Sequence, residues 1–274
     1  MFLKLWKHEL RASGKLLGML SVTALSVGIA AAVLLRLILH LVQQNISEDS
    51  LVPLLVMGMG VGFMGLILAL MAYSLGVQIY LYWRFYKHKF TDEGYLTFTL
   101  PVSSHQIFFS ALANHLLWSV ISVLVVIIAA GIILLFGTGT DQLVNMEVLN
   151  SLPTPSEMMG PLYGEIGNPV LDILMMLTML PFVTVVLMSC ITVGAVLAKK
   201  HKLLMAFGVY YGVNMVVGIG QTILSVAGTI LFWNENQQVL YGVIQGITLA
   251  LQWSLIVGGC WLSIWLMDKK LNLP

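Results

Sequence analysis

Acid–base, nucleophilic or metal chemistry in this 274-residue chain would have to come from twelve carboxylates, six histidines and two cysteines. Cys190 and Cys260 both lie inside apolar runs, without a CxxC pair or a Cys/His partner at the spacing of a zinc site or a disulfide framework. HExxH, which sets two ligating histidines and a general base on one helix face, does not occur, nor does a GxSxG nucleophile elbow. The phosphate-cradling GxxxxGK(S/T) loop is also missing, so binding and hydrolysis of ATP would fall to another chain. The expectation is a protein without catalysis, metal or cofactor of its own.

What remains is polar chemistry inside long apolar stretches. Arg36 and His40 stand one helical turn apart. An ionisable residue within a membrane is a functional candidate, but Arg36 falls about 30 Å along its helix from Leu16, where a long side chain also snorkels to the headgroups. His115 follows Asn114 in a third apolar run, and such residues commonly hydrogen-bond between helices. Asn214 and Gln221, with Gln245 and Gln252 further on, give modest polar faces that could line a cavity or link helices. Arg36, Asn214 and Gln221, with Glu157 and Glu165 from the stretch 137–169, are the candidate ligand contacts.

The elements that must hold these residues follow from composition. Hydrophobic residues make up 59% and charged residues 9%, against about 25% charged in soluble globular chains. A soluble surface could not be covered with so few charges. Six runs reach the roughly 20 residues needed to cross a bilayer: 16–42, 51–83, 106–136, 170–198, 203–232 and 239–267. They are continuously apolar rather than alternating, which disfavours transmembrane strands. The expected fold is an all-α membrane protein of six transmembrane helices in one transmembrane domain, 1–274.

The formal net charge of +1 conceals a strict sorting. Lys4, Lys7, Arg11 and Lys15 precede the first run, Arg84, Lys87 and Lys89 follow the second, Lys199, Lys200 and Lys202 sit between the fourth and fifth, and Lys269 and Lys270 follow the sixth. These are all the basic residues but Arg36. The opposite connections carry Glu48, Asp49, Asp141, Glu147, Glu157, Glu165 and Glu235 with no Lys or Arg. The positive-inside rule then predicts a multi-pass protein of a plasma membrane with both termini cytoplasmic. The N-terminal charges are scattered and no small-residue cleavage site precedes the first run, so a removable signal peptide is not expected.

Three pieces lie outside the spans. Over residues 1–15, Leu3, Trp6, Leu10, Ser13 and Leu17 recur at helical spacing, while Lys4, Lys7, His8, Arg11 and Lys15 crowd the other side. That predicts an amphipathic helix in the inner interface, with Trp6 at headgroup depth and the cations against anionic lipid. It serves either as an anchor or as an elbow that docks a partner. The loop 84–105 is too long for a plain turn. Thr91, Asp92, Glu93 and Gly94 look like a capped helix start, and Tyr95, Leu96, Phe98 and Leu100 form an apolar cluster before Pro101. Such a cluster suits a protein interface, or packing on the chain's own helix ends. The outer segment 137–169 holds Pro153, Pro155, Pro161 and Pro169, and only acidic charge. A lid or vestibule that concentrates cations, and plain compliance with the orientation rule, both fit it. Asn45-Ile-Ser47 matches a glycosylation sequon, a weak signal.

Phe90-Thr-Asp-Glu-Gly-Tyr-Leu-Thr-Phe-Thr-Leu-Pro-Val-Ser-Ser-His-Gln106 resembles a segment found before the third span in bacterial permease subunits of type-2 ABC exporters. Leu5-Trp-Lys-His-Glu-Leu-Arg11 is similar to the family's entry segment. The resemblance implies a permease that forms a translocation path while separate ATP-binding cassette subunits, holding ATP and Mg, supply the energy. It also implies a coupling helix docked on that ATPase, here Phe90, Thr91, Asp92, Glu93, Gly94, Tyr95, Leu96 and Phe98. Trp6, Leu10 and Arg11 would belong to the elbow, and a second permease, identical or related, would complete the path. One departure stands out: many relatives carry a re-entrant hairpin between spans five and six, where this chain has the short stretch 233–238. The expected cargo is an amphipathic or cationic peptide, such as an antimicrobial peptide, with small-molecule and lipid-linked cargo left open and no nucleic acid involved. The alternative from a different class is a membrane anchor or sensor that recruits a cytosolic protein through the 84–105 loop.

Overall fold

The computed structural model describes residues 2–43, 52–91, 94, 102–137, 169–198, 201–231 and 237–269. Every regular element among them is helical. α1 is Phe2–Gln43, α2 Val52–Phe90, α3 Ser104–Ile132, α4 Pro169–Leu197, α5 Lys202–Leu231 and α6 Gln237–Lys269. All six are long and apolar enough to cross a membrane. This is the expected all-α, six-helix membrane fold. Backbone groups satisfied within each helix are what the hydrocarbon environment demands. Pro181 removes one bond from the α4 ladder without ending the helix.

Two boundaries differ from expectation. α1 runs unbroken for 42 residues, so residues 2–15 are its first turns rather than a separate element. At roughly 60 Å the helix is about twice the hydrocarbon thickness. α2 likewise continues through Arg84 to Phe90, seven residues past the expected end of the second span. Lys87, His88 and Lys89 fall in its last turn, where cations favour the negative end of the helix dipole. α3 closes in a π-helical turn, Ile133–Gly137.

The chain packs as two compact units. One comprises Lys7–Leu81 with Leu117–Leu152. Its core joins Ala24, Ala31 and Ala32 of α1, Leu70 of α2, and Val125, Ala129 and Ile133 at the end of α3. Leu17, Val77 and Leu81 form a smaller cluster. Contacts fix the helix directions. Ser21 and Tyr73 hydroxyls meet at 2.9 Å, and Gly62 faces Leu34, so numbers fall along α2 as they rise along α1: the pair is antiparallel. Along α1 and α3 the numbers rise together. The Trp118 Nε1–H donates to the Ser13 hydroxyl at 3.1 Å, Gly28 lies against Ala129, and Gly137 against Leu35. A Cβ on Gly28 would sit 2.8 Å from the Ala129 methyl, a closeness only glycine permits.

The other unit comprises Met1–Trp6, Tyr82–Leu116 and Pro153–Pro274. Here α4 and α6 are held by a polar seam. Gln245 Nε2 donates to Asp172 Oδ1 at 2.7 Å, the Thr178 hydroxyl reaches Gln252 Oε1 at 3.1 Å, and the Ser189 and Ser263 hydroxyls lie 3.0 Å apart. The paired residues are 73, 74 and 74 positions apart in sequence. A constant offset means two parallel helices in one register along their whole contact. α5 packs back on α4, antiparallel to it, where Gly194 meets Ala206.

Candidate functional site

The core of this second unit gathers helix ends. Phe85 and Phe90 come from the end of α2, Phe108, Ala111 and Leu112 from the start of α3, and Val185, Met188 and Ile191 from the last turns of α4. Ala206 joins them from the first turns of α5, with Ile264 and Met267 from the end of α6. Five helix ends meeting at one level is what alternating spans produce. The same ends carry the basic residues Arg84, Lys87, Lys89, Lys202 and Lys269. Charges that the sequence sorts by connection are thus brought together in space by an apolar core.

Within that end, the exit of α2 is held by ring packing and by hydrogen bonds. The Phe90 ring is buried, 1% exposed, edge-on to Phe85 at 5.5 Å between centroids, and Phe85 is in turn edge-on to Phe108 at 6.5 Å. Edge-to-face aromatic packing adds orientation to burial. The Thr91 hydroxyl donates back to the Lys87 carbonyl, and the Gly94 N–H donates to the Thr91 carbonyl at 2.7 Å. Lys202 Nζ, the first residue of α5, donates to the Phe90 carbonyl at 3.1 Å. That carbonyl is one of those which a helix C-terminus leaves without an intrahelical partner. Lys87 Nζ stands 5.2 Å from the Trp83 ring centroid, within cation–π range.

Phe90, expected within the docking segment, is buried in this core. The alternative, packing on the chain's own helix ends, describes it. Thr91, read as the cap of a following helix, is tied by its hydroxyl to α2 instead. Gly94 is buried beside it. Asp92, Glu93, Tyr95, Leu96 and Phe98 lie outside the described residues, as do Glu157 and Glu165.

The N-terminal stripe divides. Leu3 is exposed, Trp6 and Leu10 are half-buried, Arg11 is exposed, and Ser13 and Leu17 are fully buried. Its distal part packs against α3 through Ser13 and Trp118 rather than facing lipid. Arg36 is exposed on α1. On α5, Asn214 Nδ2 donates to its own helix at Tyr210 O, 2.9 Å away, and Gln221 is exposed. Arg36 belongs to the first unit, and Asn214 and Gln221 to the second.

Gln245 and Gln252, which the sequence left between lining a cavity and linking helices, link helices. Asp172, the partner of Gln245, and Lys202 are functional positions that the sequence reading does not single out. Asp172 sits in the first turn of α4, where a carboxylate suits the helix dipole. Its signal was present: Gln245, Gln252 and Ser263 recur at whole-turn spacing along one face of α6, which requires a polar counterpart on a neighbouring helix. His115 is buried with its ring 4.2 Å from that of Tyr82, one turn from the buried Ser119, whose hydroxyl accepts from Gln78 Nε2 at 3.0 Å. No group of three or more His, Cys, Asp or Glu placed to hold a metal occurs among the described residues. No family model, curated protein or solved structure matches the chain.

Proposed function

We propose that this chain is the membrane-spanning permease subunit of an ATP-driven exporter in a bacterial plasma membrane. Its basic end would face the cytoplasm and its two termini would lie on that side. One observation carries most of the support. The segment that resembles a coupling helix leaves α2 from the end where the basic helix ends converge on a shared core. By the positive-inside rule that end meets the compartment holding ATP. A rigid cluster of five helix ends is also a suitable lever, because movement imposed there is transmitted along helices that cannot bend independently. In this reading Asp92, Glu93, Tyr95, Leu96 and Phe98 contact the partner ATPase, which holds ATP and Mg. Phe90, held in the core, and Thr91 and Gly94 beside it flank them in sequence. A second permease, identical or related, completes the path.

The cargo in this reading is an amphipathic or cationic peptide drawn to the acidic segment 137–169, where Glu157 and Glu165 stand. Arg36, Asn214 and Gln221 remain its candidate contacts in the spans. Neutralising Glu157 and Glu165 together is expected to weaken transport of a cationic peptide by about tenfold, read as ATP-driven uptake into inverted vesicles; unchanged uptake removes the acidic segment from the account. The competing reading is an anchor that recruits a cytosolic protein through the same segment without transport. Co-purification in mild detergent separates them, since the exporter must bring down an ATPase whose turnover falls when Tyr95 and Leu96 become Ala.

A further inference from the structure

Lys202 occupies a position that its own helix disfavours. It is the first residue of α5, where the helix dipole repels a cation. Its ammonium is directed instead at the C-terminal carbonyl of α2, 3.1 Å away and 112 residues distant in sequence. There the dipole attracts it and an orphan carbonyl accepts it. One turn further along α5, Ala206 is buried in the same core as Phe90. Its backbone lies so close to Gly194 of α4 that a Cβ there would come 2.5 Å from the Ala206 nitrogen. The first turn of α5 is therefore wedged on one side by α4 and tied on the other to the exit of α2.

We propose that Lys202 is the positioning residue for the segment that follows α2. By clamping the Phe90 carbonyl it makes the end of α2, the start of that segment and the first turn of α5 a single block. A protein bound to residues 92–98 then moves α5 together with α2, rather than levering a loose connector. The functional part rests on the exporter reading; the clamp itself does not.

The test is hydrogen–deuterium exchange by mass spectrometry on the full chain in lipid nanodiscs. Lys202→Met keeps the apolar stem and removes the donor. Loss of a hydrogen bond from a charged group is expected to speed exchange of the amides between 89 and 94 by about tenfold, with α1 and α3 unchanged. Lys202→Arg, which keeps charge and donors, restores the native rate. Lys269→Gln, removing an exposed cation at the same end, has no effect on these amides. Lys202→Gln, a milder change should the methionine variant not fold, gives an intermediate rate. A native rate in both Lys202→Met and Lys202→Gln overturns the proposal, as does acceleration spread evenly over all helices, or no restoration by arginine. These outcomes do not depend on an ATPase. A chain that shows the clamp yet brings down no ATPase sinks the exporter reading alone.

Discussion

Phe90 ends α2 with its ring in the core and its carbonyl under the Lys202 ammonium. The ring fills space among Phe85, Phe108 and the ends of four other helices. Phe90→Ala is therefore expected to cost about 3 kcal/mol, and Phe90→Leu less than about 1.5 kcal/mol, in reversible unfolding from mixed micelles. Equal effects would show that the site collapses around the smaller side chain. The importance of this residue was only half legible in the sequence. Its neighbours Tyr95, Leu96 and Phe98 announce an apolar connector, and Phe90 reads as part of it. Nothing local tells that Phe90 instead belongs to a helix, because Arg84, Lys87 and Lys89 look like a loop. Cations in a last turn are in fact what a helix C-terminus favours. The partnership with Lys202 has no local signature at all: it spans 112 positions and exists only once α5 has returned.

Among elements, the closest approaches discriminate between glycines that look alike in sequence. Gly194 and Gly28 each press a neighbouring helix, whereas a Cβ on Gly220 of α5 would meet nothing within 4 Å. Gly194→Ala is expected to destabilise by about 1–3 kcal/mol, because its obstacle is the Ala206 backbone, which cannot rotate aside. Gly220→Ala should be neutral or stabilise by up to about 1 kcal/mol through helix propensity. Thermal unfolding of the two variants checks this, and a reversal of their order contradicts the packing described. The α4–α6 seam makes a parallel case. Gln252→Leu removes the acceptor for Thr178 and is expected to cost about 0.6–1.7 kcal/mol, the range for hydrogen bonds between membrane helices. The helices themselves were legible because lipid imposes a length and an apolar content that few other environments require. The continuity of α1 was not. Charged residues at 4–15 mimic an interfacial helix, while the burial of Ser13 and Leu17 on their partners, which keeps the helix in line, is a tertiary fact.

For the whole molecule, the parallel register of α4 and α6 requires that α5, which joins them in sequence, crosses in the opposite direction. The same holds for α1 and α3 around α2. In the proposed topology, Lys4 and Lys269 share one side of the membrane. Single cysteines at these positions, in a chain with Cys190 and Cys260 replaced by Ser, should both react with an impermeant maleimide only after the cytoplasmic face is opened. Labelling from opposite faces would contradict six crossings. In the proposed function this side receives a motor. The most direct measurement is ATP hydrolysis retained by the chain when it is purified from its own membranes in mild detergent. An ATPase is expected to co-purify, and its recovery to fall at least tenfold in the Tyr95→Ala, Leu96→Ala double variant. A chain that binds lipid and folds normally but carries no ATPase, or carries it equally in the double variant, would contradict it.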